Sequence, residues 1–238
     1  MTSPDLTGRV ALVTGASRGL GYSIARALGA SGAHVIATAR TQGGLEALDD
    51  DIRKAGGEGV TLAPMDLLAP DGVEKLAEAV AKRWGQLDIL VANAGLLGQI
   101  TPASQLTAKT WNEVLGVNLV APARLIRAFE PLLQKSEAGR AVFVTSAAST
   151  SRRAFRAAYS ASKAGLDALV QSWAKELEET SVRANLFDPG ILRTAMRAKY
   201  APGEDPETVP HPDTVTPLIL ELVSASETRN GEIVAAQS

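Results

Sequence analysis

The sequence predicts an α/β fold: a doubly wound parallel sheet of about seven strands with helices on both faces. Three observations predict it. Short apolar runs alternate with helical patterns from residue 10 to residue 235. A glycine-rich turn, carrying Gly15, Gly19 and Gly21, joins the first run to the first helix. Hydrophobic residues make up 45% of 238 positions, enough for a core on each side of a sheet. Alternation of this kind belongs to parallel sheets, because each crossover lays a helix on one face. No repeat or domain boundary is visible, so residues 1–238 read as one domain.

The elements follow in order. Residues 10–13 form an unbroken apolar run, read as a buried strand. After the glycine turn, Leu20, Ile24, Ala27 and Leu28 recur at helical spacing, and residues 34–38 form a second strand. Residues 44–55 read as a helix and 59–64 as the third strand. Residues 71–84 place Val73, Leu76, Val80 and Trp84 on one helical face, and 88–92 form the fourth strand. Residues 107–134 read as one long helix in which Pro122, lacking an N–H, predicts a kink or local break. Residues 141–145 are the fifth strand, 158–178 a helix and 182–187 the sixth strand. The pattern then loosens, and Pro202, Pro206, Pro210 and Pro212 mark a small loop or lid within about 191–213. A helix over 215–223 and a strand over 232–235 end the chain.

Bulk composition excludes several functions. With 24 Lys and Arg against 26 Asp and Glu, the formal net charge of −2 gives no electrostatic case for nucleic acid. No apolar run reaches membrane-spanning length, and the first ten residues lack the basic-then-apolar layout of a signal peptide. A cytoplasmic protein with no membrane partner is expected. The chain has no cysteine, which excludes disulfides, thiol catalysis and cysteine-ligated metals. Two histidines, His34 and His211, leave no basis for a histidine zinc site, so no metal is expected. His34 opens a strand and reads as structural; His211, between Pro210 and Pro212, reads as an exposed loop residue.

Two constellations carry chemistry. The glycine turn is a phosphate site in outline: glycines let backbone approach a pyrophosphate, and the following helix offers free N–H groups and its positive dipole end. Its spacing, Gly-x3-Gly-x-Gly, differs from the Gly-x-Gly-x2-Gly fingerprint. The second constellation is Tyr159 and Lys163, four residues apart and so on one helical face, with Ser146 thirteen positions earlier. An ammonium beside the phenol is expected to favour phenolate, lower the tyrosine pKa from its usual ~10, and make it an acid–base group.

Together these residues resemble the short-chain dehydrogenase/reductase family. The matching pieces are Thr14-Gly15-Ala16-Ser17-Arg18-Gly19-Leu20-Gly21, Asp66, Asn93-Ala94-Gly95, Asn118, Ser146, Tyr159, Lys163 and Pro189-Gly190 with Thr194, spread over residues 14–194. Ala92 departs from the second asparagine many members carry there. The resemblance implies a Rossmann-type NAD(P)-binding domain and reversible hydride transfer between nicotinamide and a carbonyl or alcohol carbon. Implied cofactor contacts come from Gly15, Ser17, Arg18, Gly19, Leu20 and Gly21, from Arg40, from Asp66 and Leu67, and from Asn93, Ala94 and Gly95. Tyr159, Lys163, Pro189, Gly190, Ile191 and Thr194 complete that set. In the implied catalytic set, Ser146 holds the substrate oxygen, Tyr159 donates the proton, Lys163 tunes Tyr159 and bonds the ribose, and Asn118 holds a water. Asn93 is also expected to tie strand ends together, and Asp66 to bond adenine or else cap the next helix.

The family's acidic position for NAD corresponds to Ala39, followed by Arg40, with Arg18 in the turn. Two guanidiniums suit a 2′-phosphate, so NADP(H) is expected over NAD(H). Leu96, Leu97, Ile191, Leu192, Met196 and Phe155 are candidate walls for a small carbonyl or alcohol substrate. Arg152, Arg153 and Arg156 form a basic cluster open to substrate binding or plain solvation. A 3-oxoacyl-carrier-protein reductase is the alternative enzyme, and a non-catalytic nucleotide sensor the alternative from another class. The resemblance also implies a homo-oligomer, tetramer first and dimer second.

Overall fold

The computed structural model describes residues 4–236. Seven strands pair in parallel: β1 (Val10–Thr14), β2 (His34–Ala39), β3 (Val60–Pro64), β4 (Ile89–Ala92), β5 (Arg140–Val144), β6 (Arg183–Asp188) and β7 (Ile233–Ala235). Their spatial order is β3-β2-β1-β4-β5-β6-β7. The chain starts in the middle, winds outward through β2 and β3, then returns to the other side of β1. The order therefore reverses between β1 and β4, and the crevice beyond their carboxyl ends is where such sheets bind ligands.

Alternation along the strands feeds two cores. Leu12, opposite Ile36 on one neighbour and Leu90 on the other, faces the layer built with Val73, Phe129 and Trp173. Ala11 and Val13 face the opposite layer, with Ile24, Leu28, Leu45 and Ile219. The first layer is carried by α3 (Gly72–Trp84), α5 (Ala121–Leu133) and α7 (Ala157–Glu176), and the second by α1 (Gly19–Ala30), α2 (Gln42–Lys54) and α9 (Thr216–Leu222). At the amino ends of the strands, buried Arg140 donates to the carbonyls of Ser181, Ser224 and Ala225, and Arg9 to those of Ala138 and Val223. These bonds fasten the C-terminal segment to the sheet at the end away from the crevice.

Two expectations change. The helix expected over 107–134 is α4 (Ala108–Leu115), one π turn (Gly116–Val120) and then α5. Pro122 has no N–H for the carbonyl of Asn118, four residues back. The ladder widens in the turn before it, where the N–H of Ala121 reaches Gly116 instead. The expected loop after Gly190 contains α8 (Ala195–Tyr200), capped by Thr194, whose Oγ1 accepts from the N–H of Arg197 at 3.2 Å. A second short helix, α6 (Ala148–Ser151), follows β5. Both are too short to show a period in sequence.

Candidate active site

A cleft of about 1440 Å³ opens at the carboxyl ends of β1 and β4. All of the residues expected to hold the cofactor or to take part in the chemistry line it except Asn118, which lies behind its wall. The glycine turn is shaped by close approach. Gly15 has φ of 67°, and a Cβ there would come within 3.0 Å of the Ala94 backbone. A Cβ on Gly21 would meet the Asn93 amide at 2.3 Å and the Gly15 carbonyl at 2.4 Å. Asn93 fills the space these glycines leave. Its Nδ2 donates to the Thr14 carbonyl at 2.9 Å, while Thr14 Oγ1 accepts from the N–H groups of Asn93 and Ala94, both at 3.0 Å. Asn93 thus ties β1 to β4, as expected.

No side chain among the described residues caps α1, whose N-terminal turn lines the cleft with its first N–H groups open. Arg18 and Arg40 are exposed at this end, and neither guanidinium has a partner among the described residues. Thr38 Oγ1, also at the cleft, is buried without a hydrogen bond among the described residues. Asp66 is not a helix cap, since α3 begins at Gly72; its Oδ1 accepts from the N–H of Leu68 at 2.9 Å in a local turn. Thr194 sits over Gly19, bringing the segment before α8 down onto the turn.

At the other end, Ser146 follows β5 and Tyr159 and Lys163 project from α7. Tyr159 is 8% exposed and Lys163 4%. Burial raises the Tyr159 pKa, opposed by a hydrogen bond with Ser146, raised further by the Asp188 charge, and lowered by that of Arg156. The expected lowering by Lys163 is therefore corrected: desolvation of the phenolate wins. The Lys163 Nζ lies 5.9 Å from the Tyr159 ring centroid and donates to the Val144 carbonyl at 2.6 Å. Its pKa is lowered to about 8 by burial, against the Asp167 and Asp188 carboxylates.

Asn118 comes from the π turn and is fully occupied. Its Oδ1 accepts from the N–H of Leu96 at 2.8 Å; its Nδ2 donates to the Leu96 carbonyl and to Ser162 Oγ, each at 2.9 Å. Ser162 in turn donates to the Tyr159 carbonyl at 2.8 Å. The amide thus joins the strand-β4 loop to the helix bearing Tyr159, and both its N–H groups are committed. Sequence reasoning missed Asp188, Thr145 and Asp167. Thr145 donates to buried Asp167, one turn beyond Lys163 on α7. An acid at that spacing on an otherwise apolar face was the available signal.

Leu96, Leu97, Ile191, Leu192 and Met196 line the cleft as expected. Phe155 does not: its backbone has φ of 67° and its side chain is 56% exposed. Arg152, with φ of 44°, also lies outside, whereas Arg153 and Arg156 line the cleft. His34 is structural, bonding Thr61 Oγ1 at 2.9 Å and stacking near Trp84.

The family profile described as short chain dehydrogenase matches residues 9–205. The uncharacterized oxidoreductase YciK of Escherichia coli K12 is 36% identical over 226 residues, 94% of this chain and 89% of that protein. The 3-oxoacyl-[acyl-carrier-protein] reductase FabG of the same strain is 35% identical over 192 residues, covering 81% and 77%. A short chain dehydrogenase from E. coli CFT073, solved in complex with NADPH, superposes with a TM-score of 0.95 at 35% identity over the whole of both chains. With this fold, this glycine turn and this serine–tyrosine–lysine grouping, the chain belongs to the short-chain dehydrogenase family of oxidoreductases.

Proposed function

We propose that the protein is an NADPH-dependent carbonyl reductase in which Tyr159 is the proton donor. The observation that carries this reading is the Tyr159 phenol, buried in the cleft beside Ser146 with a raised pKa. A phenol that stays protonated near neutral pH is the form that reduction requires. The cleft fits the cofactor: among the described residues, Arg18 and Arg40 are unpaired, Thr38 Oγ1 lacks a partner, and no side chain caps the N–H groups of α1. The solved relative with NADPH supports the same choice, with NAD(H) as the alternative. Reduced nicotinamide supplies the hydride when bound. Arg18 and Arg40 hold the 2′-phosphate, as bidentate donors match phosphate oxygens.

Ser146 bonds the substrate carbonyl oxygen and stabilises its developing charge. Tyr159 gives that oxygen its proton. Lys163 holds a buried positive charge next to the phenol, and Asn118 fixes the frame around both. The whole chain acts as one NAD(P)-binding domain with the segment 191–213 over the site. We place it in the cytoplasm as a homo-oligomer, tetramer before dimer; no helix among the described residues is long and apolar enough to cross a membrane.

A panel of aldehydes, ketones and alcohols with both cofactors, followed by nicotinamide absorbance, tests the reading. Turnover should occur with NADPH, and Tyr159→Phe should fold, bind NADPH and lose about 10²–10⁴-fold in kcat. Cofactor binding without turnover of any substrate would leave a nucleotide sensor. The FabG relative favours one second reading, a 3-oxoacyl-carrier-protein reductase. A kcat/KM for acyl-carrier thioesters far above that for simple ketones would select it.

A further inference from the structure

The cationic side chains of the cleft sort by partner. Arg26 pairs with Asp213 at 2.5 Å, Arg193 with Glu207 at 2.8 Å and Arg197 with Glu204 at 2.5 Å. Four cleft-lining arginines have no acidic partner among the described residues: Arg18 and Arg40 at the glycine turn, and Arg153 and Arg156 at the Tyr159 end. The 2′-phosphate of NADPH would occupy the first pair, and the second pair has no role in hydride transfer.

Arg156 is held in place without being satisfied. It immediately precedes α7, and its carbonyl accepts from the N–H of Ser160 at 2.9 Å. Its guanidinium carbon lies 4.7 Å from the ring centroid of Tyr200 on α8, so the cation bridges the start of α7 and the segment covering the cleft. Its Nε is fully buried and has no hydrogen-bond partner among the described residues. Buried donors are nearly always paired, and a guanidinium offers five of them in a fixed fork matched to carboxylate or phosphate. Arg153, exposed, stands at the same end of the cleft.

We propose that Arg156, assisted by Arg153, binds an anionic group, carboxylate or phosphate, carried by the carbonyl substrate only a few bonds from the reacting carbon. This rests on the hydride-transfer reading and narrows its substrate class. Arg156, the residue before α7, and Tyr159, in its first turn, line the same end of the cleft, so an anion at one and a carbonyl at the other require a short molecule. An acyl-carrier thioester carries its phosphate at the far end of the pantetheine arm and cannot satisfy both. The charge of Arg156 also acts on the Tyr159 phenol, which places the two side chains in one electrostatic environment.

Matched substrate pairs test this. Succinic semialdehyde is compared with its methyl ester, and glyceraldehyde 3-phosphate with glyceraldehyde, using NADPH. The wild type should prefer one or both charged members, and which pair shows the preference distinguishes carboxylate from phosphate. The readout is the ratio of kcat/KM for charged over neutral substrate. Arg156→Gln should lower that ratio about 10- to 100-fold, the range for losing a charge-assisted hydrogen bond, and Arg156→Lys should restore part of it. If Arg156 only fastens Tyr200, both members slow together and the ratio stays fixed, which overturns the proposal. So does a wild type with no preference in either pair. Calorimetry with succinate and with inorganic phosphate is independent of turnover. Binding that Arg156→Gln removes supports the anion site even if no carbonyl is reduced, whereas neutral carbonyls reduced with no anion binding sink it and leave the hydride reading intact.

Discussion

Lys163 shows how much one buried charge governs. Its ordinary pKa of 10.5 falls to about 8, so the native state gives up the proton before the unfolded chain does. Below about pH 8 both states are charged and the native state bears the full desolvation penalty. Between about pH 8 and pH 10.5 the native lysine is neutral while the unfolded one is not, and stability contributed at this position rises with pH. The displacement corresponds to a penalty on the order of 3 kcal/mol. Lys163→Met should therefore abolish reduction yet raise urea stability near pH 7 by about 1–2 kcal/mol, the lost bond to the Val144 carbonyl offsetting part of the gain. The advantage should shrink toward pH 10; a variant less stable than wild type at both pH values would refute the account. Cofactor choice is expected to rest on Arg40 in the same local way. Arg40→Ala should weaken NADPH binding about 10- to 100-fold and leave NADH little changed. Equal loss for both, by titration, would make Arg40 a residue of shape only.

The π turn at Gly116–Val120 decides where Asn118 points. Its amide makes three bonds, to both backbone groups of Leu96 and to Ser162, at 1% exposure. Asn118→Ala leaves half-buried backbone groups of Leu96 and buried Ser162 without this partner, so a stability loss of about 2–4 kcal/mol is expected, with a fall in kcat larger than any change in NADPH affinity. Urea unfolding and steady-state kinetics check both; unaltered stability would mean water replaces the amide. In sequence, Pro122 announced a break but not its form, because a missing N–H fixes where the ladder fails and not whether it kinks or widens. The seven strands and the glycine turn were legible because each rests on a local pattern: largely apolar runs of three to six residues, and glycines where a Cβ would meet Ala94 or Asn93. The helices α6 and α8 were not, having no full period to display. Tyr159, Lys163 and Ser146 were legible by spacing, but the sign of the Tyr159 shift was not. It turns on burial by segments far away in sequence, and on Lys163 facing Val144.

Across the whole molecule, holding and opening are separated. The amino ends of the strands are closed by Arg9, Asp88 and Arg140, each bonded to backbone groups of other segments, while the carboxyl ends open into the cleft. The outer surface carries its own signal. Trp111 on α4 and Val120 at the end of the π turn are 38% and 51% exposed, and Ile233 on edge strand β7 is 45% exposed. Exposed apolar side chains and a strand edge with no further strand beside it among the described residues are both features that folded chains tend to cover. They lie on different parts of the molecule, so two different two-fold contacts could use them: one pairing α4–α5 faces, the other pairing β7 edges. Two independent isologous contacts generate a tetramer with mutually perpendicular two-folds, and either one alone generates a dimer. Light scattering should therefore report a tetramer at micromolar concentration. Trp111→Asp with Val120→Asp, which removes the first contact only, should reduce it to a dimer held by the second. A wild type that is monomeric at that concentration would show that neither surface self-associates, and an unaltered tetramer in the double variant would place the first contact elsewhere on the molecule.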